Sequence, residues 1–204
     1  MDSAASPTPR PRGRPPTGAR ERILEAGREV LMADGYAGLT IAKVAAAAGE
    51  NKALIGYHFG SKQGLVAAVG REVGGEITAE VVDAIGRPLS LDDVVSGAVQ
   101  GVWRVLDRDV RIARTYFDLA AVSVVEEDIR SVMREIRAAW RETLVGLLME
   151  AEPGLRPPAA RAGDLLIRAG LEGLALERIE SGDSADLRRA RKLFQRSTVA
   201  AIRG

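Results

Sequence analysis

The chain contains no cysteine and only one histidine, His58. Disulfides and thiolate chemistry are thereby excluded, as expected of a protein in a reducing cytoplasm. A lone histidine, with no cysteine and no clustered carboxylates nearby, leaves zinc and acid–base patterns without residues, so no metal is expected. Nor do the glycines at 74–75 and 170–173 match phosphate-loop or dinucleotide spacing, so no cofactor is expected and an enzyme is disfavoured. No apolar run approaches the ~20 residues that span a bilayer, so no membrane partner is expected. The N-terminus has no apolar core of the kind a secretory signal requires. Lysine is scarce, at 4 against 25 arginines, a bias that suits a GC-rich bacterial genome.

What remains is ordinary in bulk and uneven in placement. The chain has 204 residues, 46% hydrophobic and 28% charged, which suits one large core or two small domains. Its net charge of +1 hides a division. Residues 1–62 hold nine Lys/Arg against six Asp/Glu, whereas residues 63–204 hold twenty against twenty-two. Positive charge therefore gathers toward the N-terminus, as a nucleic-acid partner would require.

Residues 40–65 carry the strongest pattern. Thr40 is a suitable N-cap, with Ile41, Val44 and Ala48 following at helical spacing. Gly49 can adopt the left-handed conformation that ends a helix, and Asn51 can cap the next. That next helix is predicted to point Lys52, Tyr57 and His58 outward and Leu54, Ile55 and Phe59 inward. Ser61 then caps a third helix. Two short helices joined by a glycine-containing turn form a helix-turn-helix, whose second helix fits the DNA major groove. Lys52 suits guanine or phosphate contact, and the Ala53 methyl suits contact with a thymine methyl. Tyr57 and His58, near the helix end, suit phosphate. Thr40 and Lys62 suit phosphate at helix N-termini.

The run from Gly49 to Leu65, with its glycine turn, Tyr57-His-Phe59 and Ser61-Lys62, resembles the signature of the tetracycline-repressor (TetR) family of bacterial regulators. The resemblance covers roughly residues 17–70. It departs at Gly56, where the family most often has tyrosine; glycine costs about 1 kcal/mol inside a helix. Residues 103–180 also resemble the C-terminal domain of the betaine-regulator subgroup, at Trp140-Arg-Glu-Thr-Leu144 and Gly170-Leu-Glu-Gly-Leu-Ala175.

Around this segment the pattern is all-α. Residues 1–16 read as a disordered basic arm, in which Pro11-Arg-Gly-Arg-Pro15 resembles an AT-hook core and Arg12 and Arg14 can reach a minor groove or phosphate. A first helix is predicted from Thr17 to Asp34, stopped by Gly35. The helix opened by Ser61 extends to about Ile85, with a bend expected at Gly74-Gly75. Ser90-Leu-Asp-Asp93 opens the next helix. Further helices follow over Asp109–Val124, Glu126–Glu150, 159–181 and 184–202. The expected division is an arm at 1–16, a DNA-binding domain at 17–62 and a ligand-binding and dimerisation domain at 63–204.

In the middle helices Trp103, Tyr116, Phe117, Met133 and Trp140 are either core or the lining of a cavity; the family resemblance implies a small-molecule effector there. Ile167, Gly170, Leu171, Leu174, Leu193, Phe194 and Ser197 stripe the last two helices, which suits an isologous four-helix dimer interface. The resulting expectation is a ligand-responsive homodimeric repressor on a palindromic operator. The other readings are an all-α dimeric interaction module, or a regulator without an effector.

Overall fold

The computed structural model describes residues 18–203, so the arm with Arg12 and Arg14 lies outside the described residues. Among the described residues every regular element is an α-helix. They are α1 (Ala19–Gly38), α2 (Ile41–Ala48), α3 (Lys52–Phe59), α4 (Lys62–Ile85), α5 (Leu91–Arg108), α6 (Val110–Val122), α7 (Glu127–Ala151), α8 (Pro157–Ser181) and α9 (Ala185–Arg203).

Small polar residues start most of them by accepting an otherwise unpaired backbone N–H. Thr40 Oγ1 accepts from Lys43 at 3.2 Å, Asn51 Oδ1 from Ala53 at 2.9 Å and Ser61 Oγ from Gly64 at 3.0 Å. Ser90, Asp109 and Ser184 do the same for α5, α6 and α9. Each such cap contributes about 0.5–2 kcal/mol, so helix starts are strongly determined locally. Helix ends differ from expectation by a residue or two. The exception is α1, where Gly35 (φ 69, ψ 179) makes a kink and a further turn continues to Gly38.

Two apolar clusters fill the interior. One joins α1–α3 and the first half of α4 to Ile112, Leu119, Ile129 and Met133. The other joins the end of α4 to α5, α7, α8 and α9. Helix α4 is continuous from Lys62 to Ile85, with no non-helical residue at Gly74 or Gly75, where a bend was expected. Gly74 serves close packing instead: a Cβ there would lie 2.6 Å from Ile136 Cγ2.

The tightest helix pair is α4 against α5. A Cβ on Gly97 would stand 2.6 Å from Ile85 Cα, and one on Gly101 only 2.4 Å from Val81 Cα. Two glycines one turn apart thus let the backbones touch where side chains would hold them off. Alanine favours a helix over glycine by about 1 kcal/mol, but an overpacked core loses about 1–3 kcal/mol. Gly146, within α7, has nothing within 4 Å of its Cβ position. Gly101→Ala is therefore expected to lower the melting temperature by roughly 2–8 °C, and Gly146→Ala to raise it by about 1–3 °C. Thermal unfolding followed by circular dichroism checks both signs.

Candidate nucleic-acid interface and internal cavity

Between α2 and α3 lies a three-residue turn, Gly49 to Asn51, built on a left-handed Gly49 (φ 64). Glu50 N–H donates to Ala45 O at 3.0 Å, which closes the end of α2. The Glu50 carboxylate accepts from Arg22 of α1, Nε at 3.0 Å and Nη2 at 2.5 Å. The turn is thereby fastened to the helix behind it, while Ile55 is fully buried and anchors α3.

The opposite face of α3 is open. Lys52, Ala53, Gly56 and Tyr57 are all exposed, Tyr57 at 71%. Nothing lies within 4 Å of a Cβ at Gly56, so the middle of that face is bare backbone between a lysine and a tyrosine. Lys43 is paired with Asp34 at 2.8 Å and also donates to Gly38 O. Lys52 has no ion-pair partner among the described residues.

Two residues expected on this surface stand elsewhere. His58 is half-buried rather than outward, its ring edge-on to Tyr57 at 5.0 Å, with Nε2 buried and unpartnered. Helical geometry turns it about a hundred degrees from Tyr57, toward the core side. Lys62 does not project: its ammonium donates to Tyr36 O at 2.8 Å and sits 4.3 Å from the Tyr36 ring centroid. Thr40 is exposed, with its hydroxyl engaged as the cap of α2.

Tyr36, in the last turn of α1, is held from a second side. Its backbone N–H donates to Asp118 Oδ2 of α6 at 2.6 Å. Burial, then the charges of Glu126 and Asp128, raise its phenol above the usual tyrosine range. One residue beside the helix-turn-helix is thus bonded through its N–H to α6 and through its C=O to α4. No local pattern in the sequence signals this contact, because the partners are 82 and 26 positions away.

A cavity lies among α4, α5, α6, α7 and α8. Tyr116, Phe117 and Trp140 line it, as expected. Trp103 does not; it packs in the core with the guanidiniums of Arg178 and Arg191 at 5.6 and 4.9 Å from its ring. Met133 is also elsewhere, 1% exposed within the N-terminal cluster. The charged part of the wall is Arg137, Arg168 and Glu172, which the sequence alone does not single out. The available signal was a charged pair one helical turn apart, Arg168 and Glu172, inside the otherwise apolar or small stretch 165–175 of α8. Glu172 Oε1 accepts from Tyr116 Oη at 2.7 Å and from Arg168 at 3.3 Å. Burial first, then the Glu172 charge, pushes the Tyr116 phenol up to about 12.

On α8 and α9 the stripe splits. Ile167 and Leu171, expected at a dimer face, are 0% and 3% exposed within this subunit. Gly170 receives the ring of Phe194, whose Cε2 would stand 2.1 Å from a Cβ there, and Leu174 is half-buried beside them. Leu193 and Ser197 do face outward, with Leu166 and Leu176 of α8. The sequence does not tell the inner face from the outer one, because the middle of α8 is apolar or small nearly all round, which hides its orientation.

Three comparisons bear on this arrangement. The sequence model of a family described as "Bacterial regulatory proteins, tetR family" matches residues 23–69. The HTH-type transcriptional repressor AcnR of Corynebacterium glutamicum is 38% identical over 74 residues, which cover 36% of this chain and 39% of that protein. The chain thus spans about two-fifths of the length of this relative. Among solved structures, a protein described as a transcriptional regulator from Pseudomonas aeruginosa PAO1 superposes with a TM-score of 0.75 at 22% identity, covering 91% of this chain and 90% of that one. A protein described as a TetR-family regulator from Rhodococcus sp. gives 0.72 at 23%, covering 91% and 99%. The capped helix-turn-helix thus lies within residues 23–69, which match the tetR family of bacterial regulatory proteins, and the all-helical architecture is one the chain shares with these solved structures.

Proposed function

We propose that the protein is a cytoplasmic, homodimeric transcriptional repressor that reads a palindromic operator and is released from it by a small molecule. The observation that carries the reading is the exposed face of α3. Lys52, Ala53, Gly56 and Tyr57 stand open on a helix whose other side is pinned in the core. With two small residues between Lys52 and Tyr57, the backbone of α3 can lie deep in a major groove. Gly56 then aids approach, rather than only loosening the helix. The tetR-family match over residues 23–69 covers α3, and the chain has a local likeness to AcnR, a repressor. In this reading 17–62 is the DNA-binding unit, 63–204 holds effector and partner, and Arg12 and Arg14 add groove or phosphate contacts.

The dimer follows from the outward stripe. Leu166, Leu176 and Leu193 are exposed at 41%, 41% and 60%, apolar side chains on α8 and α9 that a second copy covers in this reading. A two-fold partner sets two copies of α3 roughly 34–36 Å apart, one turn of duplex.

Release is proposed to pass through Tyr36. Tyr116 and Phe117 line the cavity, and Asp118, next along α6, grips the Tyr36 N–H. A ligand that shifts α6 therefore pulls on the turn leading into α2. It changes DNA affinity only by its preference between the two positions.

Lys52→Ala is expected to weaken binding to duplex from the protein's own promoter about 5- to 100-fold, the range for a lost base or phosphate contact. Fluorescence anisotropy across a salt series is the measurement; if Lys52 holds a phosphate, the slope of log K against log salt falls by about one. Affinity unchanged in both Lys52→Ala and Tyr57→Ala would leave α3 as a protein-docking helix. Leu193→Glu is expected to give monomers in sedimentation with helix content intact. Asp118→Ala should leave the Tyr36 amide unpaired at a cost of about 1–2 kcal/mol, visible as faster hydrogen exchange at that amide and weaker release of DNA by ligand.

A further inference from the structure

The cavity beside Tyr116 states its own chemical preference, on the premise that it is the effector site. Its wall is mostly apolar, with Val102, Phe117, Ile136 and Leu171 among the lining side chains. Against that background stand two guanidiniums, Arg137 and Arg168, and one carboxylate, Glu172.

Glu172 is already committed. Its Oε1 takes the Tyr116 hydroxyl at 2.7 Å and Arg168 at 3.3 Å. A lipophilic cation would find no free anion here and would add a third positive charge. Arg137 is the less committed guanidinium: its Nη2 is loosely paired with Glu172 Oε1 at 3.8 Å and bears on the Tyr116 hydroxyl, while its Nε–H is buried with no acceptor among the described residues. A guanidinium presents its donors as a fork that matches a carboxylate at two points. A neutral ligand would leave those donors short of an acceptor, which is costly in a buried site.

Size narrows the class. The cavity is small, about 70 Å³, which holds the ligand to a compact body.

We infer that the cavity binds a small monocarboxylate with a flat or slender apolar body, its head group on Arg137 and its body against Phe117 and Ile136. Glu172 acts as the internal counter-charge that holds Arg168 and Tyr116 in place while leaving Arg137 for the ligand.

The test titrates the full chain with benzoate and hexanoate, against benzamide, hexanol and hexyltrimethylammonium, by calorimetry and by tryptophan fluorescence. The carboxylates are expected to bind at least tenfold more tightly than the uncharged analogues, with no measurable binding of the ammonium. Arg137→Gln should lower carboxylate affinity tenfold or more and leave benzamide unchanged. Glu172→Gln should raise carboxylate affinity, because the competing anion is gone while an acceptor for Tyr116 remains. A gain of that sign is not what a merely structural role for Glu172 would produce. Equal binding of amide and acid, preference for the ammonium, no binding of either carboxylate, or indifference to Arg137→Gln overturns the assignment. Operator release is read separately by anisotropy. Release by an uncharged or cationic analogue overturns the carboxylate class and leaves the effector reading standing. Carboxylate binding that depends on Arg137 but releases no DNA keeps the class and removes the effector role.

Discussion

One unbroken helix belongs to two cores. Leu65, Val66, Val69 and Val73, in the first half of α4, pack with α1–α3, whereas Val81 and Ile85, at its far end, pack with α5, α8 and α9. The change of partners happens around Gly74, where the missing side chain lets Ile136 of α7 press against the helix. Since neither cluster can be packed without α4, displacement of one core is felt by the other through a rod of 24 residues.

The polar contacts along α4 reinforce this arrangement without creating it. Glu76 accepts from Arg28 of α1 at 2.6 Å and from Arg108 of α5 at 2.7 Å, and Glu80 accepts from Arg108 at 2.7 Å. Pairs as exposed as these are worth little individually. They choose register: one carboxylate of α4 is shared between a helix of the N-terminal cluster and a helix of the cavity. The bonds to Tyr36 do something different. They are short, partly buried and aimed at the backbone, so they constrain where the turn before α2 can stand.

The same economy of charge runs through the proposed interface. Of the basic side chains around the helix-turn-helix, Arg22, Lys43 and Lys62 are bonded within the protein, and Arg20 lies over the Phe59 ring at 5.4 Å. Counting Lys and Arg by sequence therefore overstates the charge free to meet phosphate. In the cavity the sign is likewise set by a difference, two guanidiniums less one carboxylate.

Local chemistry was readable in advance. The N-caps at Thr40, Asn51, Ser61, Ser90 and Ser184, the left-handed Gly49 and the buried Ile55 follow from residue type and 3.6-residue spacing, because each depends on neighbours within one turn of chain. Orientation was readable only where a helix has one apolar face. On α8 it was not, and Ile167 and Leu171 turned inward while Leu166 and Leu176 remained outside. Gly74 signals a bend as readily as a close approach, and its role appears only when Ile136 is brought alongside. The link from Asp118 through Tyr36 to Lys62, and the grouping of Arg137 with Glu172, belong to the folded chain alone. They join residues far apart in order, which no periodicity relates, and it is the packing of helices against α4 that brings them within bonding distance.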